Sequence, residues 1–529
     1  MKRLTNILPV LLIILLAFLL TWRLMRPGFF SMQDDLHLFR LSEFNLCLKS
    51  GQIPCRYSPN SALGFGAPIF NFYPSFTYGL AEIFHLSGFS LINSLKIIYI
   101  LPLFFGPIYL YLFTKKYFGA NGGLISAFLF ALAPYQAVNL YVRGALAEHF
   151  ALNLVPVIFF YFYRKKTKTT IILLSCLLLT HQLTTLYCLP LLFLFSLFQR
   201  KIKCFFSVVL WSTLLCAFFL LPSFIEKNLT TNITMTQGYF NYINHFTTLK
   251  QLFFDRFWGY GASLWGPKDD MSFQIGLIQW LLPLLALFFA FRKNQKNKYT
   301  ILTVLFIGFF FLFLTHNKST FIWHLFPIMA YFQFPWRLLG PALLCLCFVS
   351  ASLKPNKFFL ILIILSSFYL NYSYFREDIW FNNLSDTQKL TGANLVAQQG
   401  AGLKDFYPKF SLEYPQNPSS NIPILVNGVV QLGDFQKNST VASGNIFVNS
   451  PASTINLPIA YFPRMELRLD GQKSSYRIDP ILGLIQFDLP QGRHYFYLRF
   501  SDTPIRSIAN LISVFTLLAF IIKIIRDQK

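Results

Sequence analysis

Ile7–Trp22, "ILPVLLIILLAFLLTW", is the stretch that decides the fold, because it carries no charged residue and is almost entirely aliphatic. A helix needs about 17–25 mainly apolar residues to cross the hydrocarbon core of a bilayer, and this run with its neighbours reaches that length. The basic segment "MKRLTN" ahead of it resembles the start of a secretory signal. No small-residue cleavage site follows, however, and the run passes straight into "TWRLMRPGFF". The expectation is a retained first membrane helix, which makes the rest of the chain a search for more of them.

Composition agrees. Of 529 residues 54% are hydrophobic and only 12% charged, with 63 Phe, where ordinary soluble domains hold about 25% charged residues. The net charge of +24 would suggest nucleic acid in a soluble protein. Here the Lys and Arg cluster between apolar runs, so no nucleic-acid partner is expected. Further runs lie near 92–113, 122–140, 147–163, 204–224, 273–291, 299–315, 337–353, 357–372 and 505–525, while 169–198 is broken by "THQLTT" into two short spans. The expected fold is a polytopic α-helical membrane protein with about twelve spans. With both termini cytoplasmic, the inner loops are "TKKYFGANG", "RKKTKTT", "QRKIK", "RKNQKNK", "LKPNK" and the tail "KIIRDQK", all basic. Of 21 acidic residues only Asp527 then falls inside.

Three outer segments are large: 26–90, 223–272 and 374–504. Within the first, "PIFNFYPSFTYGLAEIFHLSG" is apolar but broken by Pro68, Pro74 and Glu82, and reads as a helix in the outer interface. Cys47 and Cys55 share that segment and could form a disulfide in an oxidising compartment. The third alternates apolar with charged residues at "MELRLD" from Met465 and "LIQFDL" from Leu484, each followed by a turn signal, Asp470-Gly471 and Gln491-Gly492. This pattern predicts an extracytoplasmic β-sandwich. The expected organisation is a transmembrane domain over 1–373, the β-sandwich over 374–504, and a last helix with a basic tail over 505–529.

Charge at bilayer depth is costly, so the few ionisable residues at the outer membrane face or within spans are the candidates for chemistry: Asp34, Asp35, His37, Arg40, Glu82, Arg143, Glu148, His149, His181, His316, Lys318 and Arg337. "FSMQDDLHLFR", Phe30–Arg40, places an acidic pair at the exit of the first span, where a solvated acidic cap is the plain reading. "YVRGALAEHF", Tyr141–Phe150, holds Arg143, Glu148 and His149 in a short outer connection, where an interfacial salt bridge is the plain reading. His181 is explained as well by a helix–helix hydrogen bond, and Trp336 with Arg337 by interfacial anchoring. The chain has no phosphate-binding glycine loop opening a helix, no paired zinc-spaced histidines and no serine nucleophile elbow. Energy for a reaction must therefore arrive with the substrate.

An acidic pair directly after the first span, polar residues in the short loop before the fourth, many spans and an outward C-terminal domain resemble the GT-C-fold glycosyltransferases. "QDD", Gln33–Asp35, matches the position of that family's first-loop acidic motif. "SMQDDLHLFR", "RGALAEHFAL", "LLLTHQLT", "FPWRLLG" and "FSDTPIRSIANLISV" resemble a bacterial group of GT-C-like membrane proteins called YfhO-like or pyruvoyl-tetrahydropterin-synthase-related. The resemblance implies transfer of a sugar from a polyprenyl-phosphate donor to a glycan, lipid or protein acceptor on the extracytoplasmic face of the cell membrane. It implies Asp34 or Asp35 as the base or as ligands of a divalent cation (Mg or Mn), with Glu148 and His149 as further catalytic groups. His37, Arg40, Arg143, His181, Lys318 and Arg337 are then the candidates for binding substrate and phosphate. A lipid-linked oligosaccharide flippase and a non-catalytic envelope-assembly protein are the alternatives.

Overall fold

A computed structural model describes residues 2–231, 235–264 and 269–527. Among the described residues six helices are long and apolar enough to cross a membrane: Ile7–Met25, Leu91–Ala131, Leu146–Tyr163, Pro335–Leu353, Lys357–Tyr374 and Pro504–Arg526. A further pair, Ile202–Leu215 and Ala217–Ile225, is bent by 76°, and four apolar helices are shorter: Thr167–Leu178, Gln182–Phe198, Leu277–Arg292 and Lys298–Leu314. This content is compatible with a membrane protein. The 41-residue helix Leu91–Ala131 is kinked at Gly119, whose φ of 81° a glycine tolerates without steric cost. Its first amides, Leu91 N and Ile92 N, donate to the Asp386 carboxylate at 2.7 and 3.0 Å, a favourable place for negative charge at a helix start.

The chain separates into two compact units. The first comprises Met1–Asp35, Leu95–Leu210 and Met235–Leu384. Leu146–Tyr163 and Pro335–Leu353 are the most enclosed of its long apolar helices, each 78% buried along its apolar stretch, against 22% for Lys357–Tyr374. Phe29–Phe30 pairs antiparallel with Trp380–Phe381, so the chain leaving the first helix is held as a short strand.

The second unit joins Leu36–Ser94, Trp211–Thr234 and Ser385–Lys529. It holds helices His37–Lys49 and Phe76–Leu86, the Cys47–Cys55 disulfide and a C-terminal antiparallel sheet of seven strands. Two long strands, Val441–Ala460 and Leu484–Phe500, pair from Val441↔Arg499 to Ala460↔Leu484 with bulges on the way. Val441–Val448 alternates between buried and less buried positions, as a strand with one covered face must. Asp470-Gly471 does form a two-residue turn, with φ of 51° and 84° between Leu469 and Gln472, the left-handed pair that fits the twist of a hairpin. Gln491-Gly492 does not. The strand runs on through it, Pro490 opposite Ala452 and Gly492 opposite Val448, and the facing strand bulges there, with residues 449–451 opposite Gln491 alone.

A buried ionic network ties distant parts of this unit together. Glu226 accepts from Arg506 Nε at 2.9 Å, Asn71 Nδ2 at 2.9 Å and Thr503 Oγ1 at 2.6 Å. Arg56 donates to Asn71 Oδ1 at 3.1 Å and Asn510 Oδ1 at 2.9 Å. Arg506 is 0% and Arg56 1% exposed, so both guanidiniums depend on these partners for their solvation.

Candidate functional site

The site lies in the first unit and begins with an irregular turn. After Pro134–Ala137 the chain widens into a π-helical turn, Val138–Val142, closed by Arg143 N donating to Val138 O at 2.8 Å. Such widened turns occur often at functional sites. Gly144 follows with φ of 62°, so near Met32 that a Cβ would overlap its side chain. Tyr99 Oη donates to Gly144 O at 2.7 Å. A glycine here lets the segment after the first helix lie against the turn: Gln33 N donates to Val142 O at 3.1 Å and Asp34 N to Arg143 O at 2.9 Å. The Gln33 side chain donates to Gly261 O at 2.5 Å, which pins the segment from its other side.

Next to this seam Glu148, in the first turn of its helix and 5% exposed, accepts two hydrogen bonds and pairs with a second guanidinium. Arg143 Nη1 lies 2.9 Å and Arg337 Nε 3.2 Å from Glu148 Oε2, and Tyr135 Oη donates to Oε1 at 2.5 Å. Arg143 also donates to Asn139 Oδ1 at 2.5 Å and stacks 4.6 Å from the Trp336 ring centre. Arg337 donates to Phe332 O and Gln333 Oε1, both at 2.9 Å, and lies 4.9 Å from the Phe334 ring centre. Two guanidiniums thus share one buried carboxylate. Asp34 interacts electrostatically with both of them, and His181 with Glu148 and both arginines.

A chain of polar groups backs the cluster. The Tyr239 carbonyl can only accept, so His245 Nε2 carries the proton, and Nδ1 accepts from Ser263 Oγ at 2.9 Å. Ser263 Oγ in turn accepts from Trp336 Nε1 at 3.2 Å. Burial, and next to it the positive charge of Arg337, hold the His245 imidazole below its usual pKa.

The sequence candidates are placed as follows. Asp34, Arg143, Glu148, His181 and Arg337 meet in one electrostatic cluster. Asp35 is half-buried beside Asp34. His149, next to Glu148, is turned by about 100° around the helix and faces the Tyr99 carbonyl, 3.2 Å from its Nε2. Lys318 is exposed on the turn Asn317–Ser319, outside the cluster. His37 and Arg40 belong to the second unit, where His37 Nδ1 is 2.8 Å from Tyr78 Oη and Arg40 lies 4.3 Å from the Tyr73 ring centre. Trp336 is 2% exposed, so it is a wall of the cluster and no interfacial anchor.

Sequence reasoning passed over Tyr135, Asn139 and Gln333. Asn139 and Arg143, four apart, carried the only local signal, since that spacing puts two side chains on one face of a helix. Among the described residues no group of three or more His, Cys, Asp or Glu is placed to hold a metal ion. No family model, curated protein or solved structure matches the chain.

Proposed function

We propose that the chain is a membrane glycosyltransferase that moves a sugar from a polyprenyl-phosphate donor to an envelope acceptor on the extracytoplasmic face. The observation that carries this reading is the seam of Asp34 along Arg143, which sets an acid beside two arginines bound to one buried carboxylate. In the reaction, Asp34 takes the proton of an acceptor hydroxyl while that oxygen bonds to the anomeric carbon. The bond from that carbon to the phosphate oxygen breaks, and the phosphate leaves with the electron pair. Arg143, Arg337 and His181 stabilise the charge that develops there. Glu148 aims the two guanidiniums. As the alternative to this base chemistry, Asp34 and Asp35 would together hold a divalent cation, Mg or Mn, which would add positive charge.

Support for the topology is of the same kind. Splitting Leu91–Ala131 at Gly119 turns six long helices into seven, the bent pair adds an eighth, and the four shorter helices make twelve. The arrangement is GT-C-like, with both termini cytoplasmic. The Cys47–Cys55 disulfide favours an oxidising, extracytoplasmic setting for the segment after Leu36. The bulged long strands are read as the folded strands of a β-sandwich.

The test is transfer by reconstituted protein from radiolabelled polyprenyl-phosphate sugars. Asp34→Asn is expected to lose about 10²–10⁴-fold in rate, the range for a general base, and Asp35→Asn under tenfold. No transfer from any donor, or full activity in Asp34→Asn, overturns the reading.

A further inference from the structure

The first unit also holds an apolar cavity that shares no residue with the ionic cluster. It measures about 280 Å³ and is walled by Phe113, Phe159, Phe195, Val304 and Phe348, with Gln199 and Asn297 as polar lining. These residues come from the same end of five apolar helices. That end carries Lys115 and Lys116, Arg164–Lys166, Arg200–Lys203, Lys293–Lys298 and Lys354, so the cavity lies toward the basic side of the membrane.

Protein interiors pack like organic crystals, and few voids exceed a water molecule. A cavity of this size forfeits dispersion contacts along its whole lining, and an apolar one does not gain from water. At about 30 Å³ for a group the size of water, it has room for roughly nine methylenes. The chains of the surrounding bilayer are the solutes of that shape and chemistry.

The rim adds charge. Gln199 is followed by Arg200 and Lys201, and Asn297 is flanked by Lys296 and Lys298, in the runs "QRKIK" and "RKNQKNK", which hold no acid. Lys201 Nζ donates to Tyr163 O at 2.9 Å and Lys298 Nζ to Asn294 Oδ1 at 2.7 Å, both neutral acceptors, so these two hydrogen bonds leave the positive charge in place. Gln199 Nε2 donates to Tyr117 Oη at 3.3 Å and marks the polar end of the cavity.

We propose that this cavity binds one acyl chain of an anionic glycerophospholipid of the cytoplasmic leaflet, its headgroup phosphate lying among Arg200, Lys201, Lys296 and Lys298. The site requires that these helices cross a membrane and is independent of the catalytic reading.

The full chain, delipidated in mild detergent, is incubated with phosphatidylglycerol or phosphatidylcholine of identical acyl chains, and retained lipid is counted by native mass spectrometry. Wild type is expected to retain phosphatidylglycerol at least tenfold better. Val304→Trp, which fills the cavity, should lose both lipids. Ile307→Phe, a milder filling, serves where the tryptophan prevents folding, as judged by gel filtration and the thermal midpoint. The double variant Lys296→Ser with Lys298→Ser should keep a lipid but lose the preference for the anionic one. Equal retention by wild type and a folded cavity-filled variant overturns the proposal. So does equal retention of the two lipids by wild type, or displacement of both by a polyprenyl phosphate at equal concentration.

Discussion

Replacing Glu148 by Gln keeps the shape of the side chain and removes its charge, so it isolates what the carboxylate does for Arg143 and Arg337. Both guanidiniums are largely removed from water, with side-chain exposures of 6% and 13%. Taking one partner from a buried ion pair costs about 3–5 kcal/mol, because the charge left behind is neither solvated nor matched. One kcal/mol shifts the midpoint by about 2–4 °C in domains of 150–250 residues and by roughly half that in a chain this long. Scanning fluorimetry in detergent should therefore place Glu148→Gln roughly 3–10 °C below wild type. Arg337→Gln leaves Arg143 and Glu148 matched one to one and should cost no more than about 2 kcal/mol. The double variant tests the mechanism: with one cation gone the missing acid matters less, and the two losses should fall short of additivity by about 0.5–3 kcal/mol. A midpoint for Glu148→Gln within about 1 °C of wild type, or strictly additive losses, would refute the view that one carboxylate holds both arginines.

In the second unit, Glu226→Gln should destabilise by about 3–5 kcal/mol through the stranded Arg506 charge, whereas Thr503→Val should cost about 1–2 kcal/mol through the lost cap and hydrogen bond; chemical unfolding followed by tryptophan fluorescence reads both, and equal costs would contradict the charge argument. Burial pulls the Lys437 ammonium down to about 8 against Glu43, which pulls it up. The unfolded chain therefore binds more protons between about pH 8 and the ordinary lysine value of about 10.4, and this lysine's contribution to stability rises with pH across that window. Thermal midpoints of wild type minus Lys437→Met should climb from pH 8 to 10, and a flat difference would remove Lys437 as the source. Asp34→Asn, expected on the proposed function to be inactive in transfer, should bind a polyprenyl phosphate about three- to tenfold more tightly than wild type, the effect of roughly 1 kcal/mol from one partly exposed charge; unchanged or weaker binding, measured by tryptophan quenching in nanodiscs, contradicts the proximity of Asp34 to the arginines.

How much could be read in advance depended on how local the cause was. Apolar runs mark helices because the requirement is local length and composition, and Ile7–Met25 and Pro504–Arg526 stand where the sequence placed them. Asp470-Gly471 was legible because two left-handed residues make a hairpin turn by themselves. Gln491-Gly492 looks the same locally, and only pairing of Gly492 with Val448, 44 positions earlier, keeps it within a strand. The grouping of Leu36–Ser94 with Trp211–Thr234 and the C-terminal sheet was not legible. It rests on contacts such as Glu226 to Arg506, 280 positions apart, which leave no periodicity in either segment. In the site, Arg143 and Glu148 announced themselves by lying five apart. Arg337 had to be brought from far along the chain, and Tyr135 is one tyrosine among 26. His149 shows the limit of adjacency, since a neighbour in sequence on a helix looks in another direction.

The expected tightening in Asp34→Asn follows from the charge count of the cluster. Arg143 and Arg337 bring two positive charges, Glu148 one negative, and Asp34 is the further acid that interacts with both arginines. In the resting protein the Asp34 carboxylate offsets the remaining cation, which keeps two buried arginines tolerable. On the proposed path Asp34 takes the acceptor's proton while the lipid phosphate, already singly charged as a diester, gains a second negative charge, so negative charge is lost from Asp34 and gained by the phosphate in one step. The arginines need not move, because the charge that balances them passes from one side of the cluster to the other. A fixed pair of cations is then worth more in the transition state than in the ground state, the condition for catalysis. Asparagine at position 34 mimics the protonated base permanently. It therefore cannot start the reaction, yet it presents to a phosphate the same uncompensated charge that the reaction would produce.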